Sequence, residues 1–236
     1  GKAIVNATSA TTVDFSAAGI TDDLSNLRDG SAIHADLTAI KNKDSDIIVT
    51  VNTVTVTAAA EVSAINSIAS SLSGSNRLQG SVTGTLALLD DLNAHGSVVN
   101  LDLTVSDGTI PSGSVSNLNT VMAGTTGTVT ATMASMTSSN LLSLSTSTNL
   151  INMTISNAVT LSDLSNIINR TRGDITFTTT ANGGEHFAKH YYADTSLTKT
   201  TEWNNVFTNS STSVDANKAR ILSVSYTHLT LPTIGC

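Results

Sequence analysis

The stretch Val99-Asn100-Leu101-Asp102-Leu103-Thr104-Val105 alternates apolar and polar side chains at every step. A period of two predicts a β-strand that has one buried face and one face in water. The strands of a doubly wound sheet are covered on both sides, and they read instead as continuous apolar runs. The stretch therefore predicts a sheet that helices cover on one face only.

Other segments of the chain show the same alternation, and they predict further strands at 49–51, 129–133, 151–155 and 175–177. Between the strands a phrase recurs in which apolar residues stand three positions apart, as on one stripe of a short helix. Its copies lie at 37–40, 62–66, 89–93, 115–119, 141–144 and 161–166, at similar intervals along the chain. Such repetition predicts an α/β solenoid of roughly 25-residue strand–helix repeats, with a parallel sheet covered by helices on one face. A mainly-β parallel solenoid is the alternative.

The composition excludes several classes of protein. Charged residues make up 12% of the chain and aromatic residues 3%. So little charge would fit disorder or a membrane protein, but disorder requires few Val, Ile and Leu residues, which are plentiful here. A membrane span requires about 18 or more consecutive apolar residues, and no run comes close. The net charge of −7, with no basic stripe, argues against nucleic acid as a partner.

The character of the sequence changes along the chain. We expect residues 1–10 to be a truncated N-terminal edge and residues 11–180 to be the repeats. Aromatic residues gather after about 181, which predicts a capping unit or the start of a further domain over 181–223. Residues 224–233 resemble translated sequencing-adapter sequence. We therefore expect 224–236 to be an artefact and the chain to be a fragment of a longer protein.

The aromatic-rich segment also contains the clearest candidate for a metal site. His186 and His190 are four residues apart and would share one face of a helix, where Glu185 or Asp194 could complete a metal shell. An exposed polar helix turn is the alternative interpretation.

Calcium is the other cofactor that the sequence raises. The candidate ligands are Asp22, Asp23, Asp90, Asp91, Asp102, Asp107 and Asp163. However, the chain contains neither an Asp-x-Asp-x-Asp-Gly loop nor a glycine-rich calcium-binding nonapeptide. Carboxylates in the first turn of a helix explain several of these residues without a metal, because they interact with the positive end of the helix dipole.

The sequence predicts no catalytic and no cofactor-binding residue. It has no Gly-x-Ser-x-Gly elbow and no phosphate-binding loop, so we expect the chain not to be an enzyme. The tripeptide Arg172-Gly173-Asp174 is the one that integrins recognise, but its place just before a predicted strand favours a turn.

The polar positions of the predicted strands should form a ladder on the open face of the sheet. We call this set the surface ladder; its members are Thr50, Asn100, Asp102, Thr104, Thr130, Thr132, Asn152 and Thr154. We expect a ligand to bind to this ladder and not in a buried pocket, because a one-sided sheet leaves this face in water.

The Thr-, Ser- and Asn-rich strands and helix phrases such as Leu161-Ser162-Asp163-Leu164-Ser165-Asn166 resemble degenerate repeats of giant bacterial surface and secreted proteins, including adhesin-like ones. The resemblance covers roughly residues 35–180. It implies an extracellular or cell-surface location and a non-catalytic structural role in adhesion or display. The partner would be a surface ligand or neighbouring repeats of the same chain. In the alternative, the repeats are a spacer before a metal-dependent or ligand-binding domain that begins near 181.

Overall fold

The computed structural model describes residues 12, 14–15, 19–44, 46–93, 95–157, 159 and 161–177. The expected N-terminal edge, the aromatic-rich segment and the tail from 224 lie outside these residues. The metal candidates Glu185, His186, His190 and Asp194 lie outside them as well, and they stay predictions.

Nine strands, numbered in chain order, lie in the described residues. Seven of them form one sheet: Ile20–Asp22 (β1), Ile48–Thr55 (β4), Arg77–Gly84 (β5), Val99–Val105 (β6), Val129–Met136 (β7), Leu150–Ile155 (β8) and Ile175–Phe177 (β9). The other two, Arg28–Asp29 (β2) and Ala32–Ile33 (β3), pair with each other in antiparallel fashion.

Helices alternate with the strands. They are Leu24–Leu27 (α1), Ala35–Lys41 (α2), Ala59–Ser71 (α3), Leu86–Leu89 (α4), Val115–Ala123 (α5), Ser138–Leu141 (α6) and Leu161–Ile168 (α7). Single 3-10 turns lie at Gly96–Val98 and Ser112–Ser114. From β4 onward one α-helix separates each strand from the next, as the crossover connections of a parallel sheet require.

The strands of the main sheet follow one another in chain order, with β1 and β9 at its two edges. The pairs β1–β4, β4–β5, β5–β6, β6–β7 and β8–β9 are all parallel. This confirms the predicted α/β class and the predicted parallel sheet.

Strand β6 has the bounds that the alternation predicted. Val99, Leu101, Leu103 and Val105 are buried, whereas Asn100, Asp102 and Thr104 are exposed. One face of this strand is therefore covered and the other is in water. The same period of two brings Ile151, Met153 and Ile155 of β8 into the interior.

The recurring helix phrase places its apolar residues in the core. The pairs three positions apart are all buried: Leu37 and Ile40, Val62 and Ile65, Leu89 and Leu92, Val115 and Leu118, Leu141 and Leu144, and Leu164 and Ile167. Short helices are marginal alone, so this packing is what stabilises them.

The sequence patterns did not predict strands β1, β2, β3 and β5 or helix α1, and helix α4 ends earlier than its phrase. The alternation did not predict β5, because Gly80 stands where an apolar side chain would continue the pattern. Helix α4 ends at Leu89, so most of the phrase at 89–93 lies in the turn that follows it. Leu92 is nevertheless 5% exposed, because the turn carries it into the core.

The chain divides into two compact units. Unit 1 comprises Gly1–Gly108 with Asn117–Ala131, and unit 2 comprises Thr109–Ser116 with Thr132–Cys236. The described part of unit 1 contains β1 to β6 and the start of β7, and that of unit 2 contains the rest of β7 together with β8 and β9. Among the described residues, no helix has both the length and the apolarity to cross a membrane.

Candidate functional site

The residues of the surface ladder lie on strands β4, β6, β7 and β8, at positions that alternate with buried residues. Asn100, Asp102, Thr104 and Thr132 are exposed. The other members are partly exposed: Thr50, Thr130, Asn152 and Thr154.

Within unit 1 the register extends the ladder by two residues that the sequence analysis missed. Thr55 of β4 pairs with Thr83 of β5, Thr83 pairs with Thr104 of β6, and Thr104 pairs with Thr130 of β7. We call these four residues the threonine row. Neighbouring strands of a sheet are about 4.8 Å apart, so the row presents hydroxyl and methyl groups at that spacing. The two additional members lie on β5, which the sequence did not predict, and at the end of β4.

Other ladder side chains are hydrogen-bonded along the sheet. In unit 1 the Gln79 Nε2 donates to Thr50 Oγ1 at 2.9 Å. In unit 2 the hydroxyls of Thr154 and Thr176 are 2.8 Å apart. These bonds connect side chains of neighbouring parallel strands, and opposed polar pairs of this kind contribute to the stability of a sheet.

Asp102 and Asn152 stabilise the start of the following strand. In unit 1, Thr128 N–H donates to Asp102 Oδ1 at 2.8 Å. In unit 2, Asp174 N–H donates to Asn152 Oδ1 at 2.9 Å. Since each side chain binds the backbone of the next strand, these two ladder members have a structural role.

A cluster of three carboxylates, Asp14, Asp44 and Asp46, lies outside the predicted calcium candidates. One oxygen of each carboxylate lies within 4.8 Å of the other two, and the described residues contain no other such group of three potential metal ligands. Asp44 is buried; its Oδ2 accepts Phe15 N–H at 2.7 Å and its Oδ1 accepts Asp46 N–H at 3.1 Å. A hydrogen bond that the protonated Asp46 carboxyl donates to Asp44, together with desolvation and the negative charges of Asp44 and Asp14, raises the pKa of Asp46.

This carboxylate cluster could hold a proton or a hard cation, for which carboxylate oxygens are suitable ligands. The only local signal in the sequence is the Asp-x-Asp spacing of Asp44 and Asp46. Asp14 precedes β1 and stands far from both in the sequence, and only the fold brings it to the other two.

The predicted calcium ligands of the described residues do not form such a group. Asp22 Oδ1 instead accepts hydrogen bonds from Asn26 Nδ2 and Asp23 N–H, both at 2.8 Å, and these bonds lower the pKa of Asp22. Asp107 Oδ2 accepts Leu86 N–H at 2.5 Å.

Two clefts lie near the first strands of unit 1, and each contains a side chain that accepts a backbone N–H. The larger, of about 580 Å³, contains His34, whose Nδ1 accepts Asp36 N–H at 3.2 Å. The smaller, of about 340 Å³, contains Glu61, whose Oε2 accepts Thr57 N–H at 2.7 Å and Ala58 N–H at 3.1 Å. These two backbone bonds lower the pKa of Glu61 against the effect of its partial burial. Both side chains therefore cap the start of a helix.

The Arg172-Gly173-Asp174 tripeptide forms a bend before β9, as the sequence predicts. Gly173 is buried, and a Cβ there would lie 2.4 Å from the Ile151 carbonyl oxygen. The glycine is thus explained by the close approach of two backbones.

Comparison of the chain with family models, curated proteins and solved structures yields no match.

Proposed function

We propose that the described residues belong to a non-catalytic structural repeat segment, a solenoid of strand–helix units that acts as an adhesion or display scaffold. One observation carries the proposal: side chains at equivalent positions bind the backbone of the preceding strand–helix repeat. Leu86 N–H donates to Asp107 Oδ2 at 2.5 Å, and Ser138 N–H donates to Asn157 Oδ1 at 2.7 Å. Each donor is the first residue of a four-residue helix, and each acceptor lies two residues beyond a strand.

The buried hydroxyls support the same role. Thr125 Oγ1 accepts Leu101 N–H and Gly127 N–H, both at 2.9 Å, and donates to the Leu101 carbonyl oxygen at 2.7 Å. A threonine hydroxyl has one proton and two lone pairs, so these three bonds use it fully. Such a group serves as a link between strands and has no lone pair left for chemistry.

An asparagine of the recurring phrase links one strand–helix repeat to the next. Asn66 of α3 donates through Nδ2 to the Asp91 carbonyl oxygen at 2.8 Å, and its Oδ1 accepts Asn93 N–H at 2.9 Å. Asn66 and Asn93 occupy the same place in two copies of the phrase. The amide of one copy thus orients the backbone of the following copy.

The threonine row is the display surface of the proposed scaffold. It is uncharged and partly or fully exposed, and its spacing is set by the sheet, so a contact made on one strand can be repeated on the next. The extracellular or cell-surface location is supported by the resemblance of the repeat phrases to those of giant surface proteins.

The proposal is tested by stretching the full chain between its two ends in optical tweezers. The stability of a stack of repeats is close to the sum of the stability of each repeat and the energies of the interfaces between neighbouring repeats. We therefore expect extension to be released in several steps of about 25 residues or a small multiple, about 85 Å of contour for each 25 residues. A single release that spans all the strands would overturn the proposal.

A matched pair of variants sharpens this experiment. Asp107→Ala removes one hydrogen bond between neighbouring strand–helix repeats. One unfolding step should therefore occur at lower force, while the forces of the other steps stay unchanged. Asp107→Asn retains an acceptor oxygen, as Asn157 does at the equivalent position, and should behave like the parent chain. A uniform fall of every step in Asp107→Ala would indicate one cooperative core and would contradict the scaffold.

A further inference from the structure

At one level of the sheet, neighbouring strands alternate between a bulky residue and glycine. Within unit 1, Val51 of β4 pairs with Gly80 of β5, and Gly80 pairs with Leu101 of β6. Gly127, two residues before Val129 of β7, continues this row, because Val129 pairs with Leu103. Bulky residues therefore lie on β4 and β6, and glycines on β5 or at the entry to β7.

Each glycine is required by a close approach to the bulky residue of the preceding strand. A Cβ would lie 2.1 Å from the Val51 carbonyl oxygen at Gly80 and 2.3 Å from that of Leu101 at Gly127. Within unit 2, a Cβ on Gly173 would lie 2.4 Å from the Ile151 carbonyl oxygen. The third pair thus repeats the arrangement of the first two, with Ile151 on β8 and Gly173 before β9.

The sequence around these positions also recurs, at intervals of about two strand–helix repeats. Val51, Leu101 and Ile151 stand at equal intervals along the chain, and each is followed by Asn or Asp. The glycines begin a second phrase, Gly-x-Val/Ile-Thr, at 80–83, 127–130 and 173–176.

The hydrogen bonds of two such strand pairs match atom by atom. Thr171 Oγ1 accepts Ile151 N–H at 2.9 Å and Gly173 N–H at 2.8 Å, and donates to the Ile151 carbonyl oxygen at 2.7 Å. Thr125 makes the same three bonds to Leu101 and Gly127. Both threonines stand two residues before the glycine.

The helices alternate as well. Those that follow β4, β6 and β8 have 13, 9 and 8 residues, whereas those that follow β5 and β7 have four residues each. The two kinds of strand are therefore followed by two kinds of connection.

From these observations we infer that the repeating unit of this chain is a two-strand module, twice the length of a single strand–helix unit. The first strand of each module carries the bulky residue, and the second carries the glycine that packs on its carbonyl group. A single strand–helix unit is then only half of the repeat. Length can be gained or lost without disturbing the packing only in whole modules. Removal of half a module places a residue with a Cβ against a carbonyl group that leaves room only for glycine.

This inference goes beyond the proposed scaffold function, and its test measures folding alone. Deletion of residues 99–148 from the full chain removes one module and leaves Asn149 in the place of Val99. Deletion of residues 78–98 removes most of β5 together with α4 and places Leu101 opposite Val51. The readouts are circular dichroism, the Tm and the cooperativity of thermal unfolding.

We expect the 99–148 deletion to unfold cooperatively, with a Tm within about 10 °C of the parent chain. The 78–98 deletion should lose cooperativity or show a larger fall in Tm, although it removes fewer than half as many residues. Adding Leu101→Gly to the 78–98 deletion restores the glycine opposite Val51, and should recover part of the lost Tm.

A duplication of residues 99–148, inserted after Thr148, provides an independent measurement. We expect it to fold with a Tm at least equal to that of the parent chain, because it adds one module and its neighbour contacts. The inference would be overturned if the 78–98 deletion were tolerated as well as the 99–148 deletion. It would also be overturned if neither the module deletion nor the duplication unfolded cooperatively.

Discussion

The strand pairs β4–β5 and β6–β7 solve the same packing problem in two ways. In both, a glycine lies against the carbonyl group of a bulky residue of the first strand; Gly80 belongs to β5, and Gly127 comes just before β7. Strand β4, however, contains a register shift between Val51 and Val54, whereas β6 alternates without interruption. Two residues before the glycine, the first pair has Leu78 and the second has Thr125, and both are buried.

The difference separates what the backbone demands from what a side chain can vary. The approach to the carbonyl group leaves no room for a Cβ, so both pairs need glycine. The position two residues earlier needs only a buried side chain that fits, and either an apolar residue or a fully bonded hydroxyl meets this need. Both pairs consequently share the glycine, together with the Val and Thr that follow it at 82–83 and 129–130.

The largest effects should come from the glycines. Gly80 has a φ of +133°, which L side chains rarely adopt, and Gly127 has no such strain. Gly127→Ala should lower the free energy of unfolding by about 3 kcal/mol through the steric clash, and Gly80→Ala by more, because it adds backbone strain. Urea titration measures both.

Gly108→Ala is the matched control, because nothing lies within 4 Å of a Cβ at Gly108. Its free energy of unfolding should stay within about 0.5 kcal/mol of the parent value. If Gly127→Ala were as stable as Gly108→Ala, the close approach would not matter and the comparison of the two pairs would fail.

A smaller effect is expected at Thr125. Thr125→Val retains the shape but leaves the N–H groups of Leu101 and Gly127 without their acceptor, which should cost about 2 kcal/mol. Thr104→Val, on the exposed face, makes the same chemical change and should cost less than about 0.5 kcal/mol. Chemical denaturation gives both values, and equal losses would show that the buried hydroxyl is not a link between strands.

The smallest effect concerns pH and distinguishes the helices that follow β4 and β6. Glu61 in the first turn of α3 has a pKa below its ordinary value of 4.5, whereas α5 has no acidic residue in its first turn. The pKa of Glu61 is lower in the folded chain than in the unfolded chain. Glu61 therefore adds to the free energy of unfolding above about pH 4.5, and this contribution is lost as the pH falls through the folded pKa. Solvent screens the exposed carboxylate, so we expect about 0.5 kcal/mol or less.

Glu61→Gln tests this expectation, because it keeps an acceptor oxygen and removes the charge. The parent chain should be slightly more stable at pH 7, and the difference in Tm between the two chains should shrink as the pH falls below about 4.5. A difference that stayed constant between these pH values would show that the charge of Glu61 contributes nothing.

Some elements of the sheet and its helices could be predicted from local patterns, and others could not. The bounds of β6 follow from its alternation, and the buried pairs of the helix phrases follow from their spacing, since both patterns are local. Strand β5 escaped prediction because Gly80 breaks the pattern for a reason that lies on the neighbouring strand. The positions of the surface ladder could be named from the alternation, but the completion of the threonine row by Thr55 and Thr83 needed the register.

The order of residues alone determined which side chains turn inward, because the periods of strand and helix are properties of the local backbone. It also determined that these patterns recur. The tertiary structure alone decided that Gly80 lies between Val51 and Leu101, and that Asp14 meets Asp44 and Asp46. The physical reason is that register and close approach depend on contacts between residues far apart in the chain, and no local period encodes them.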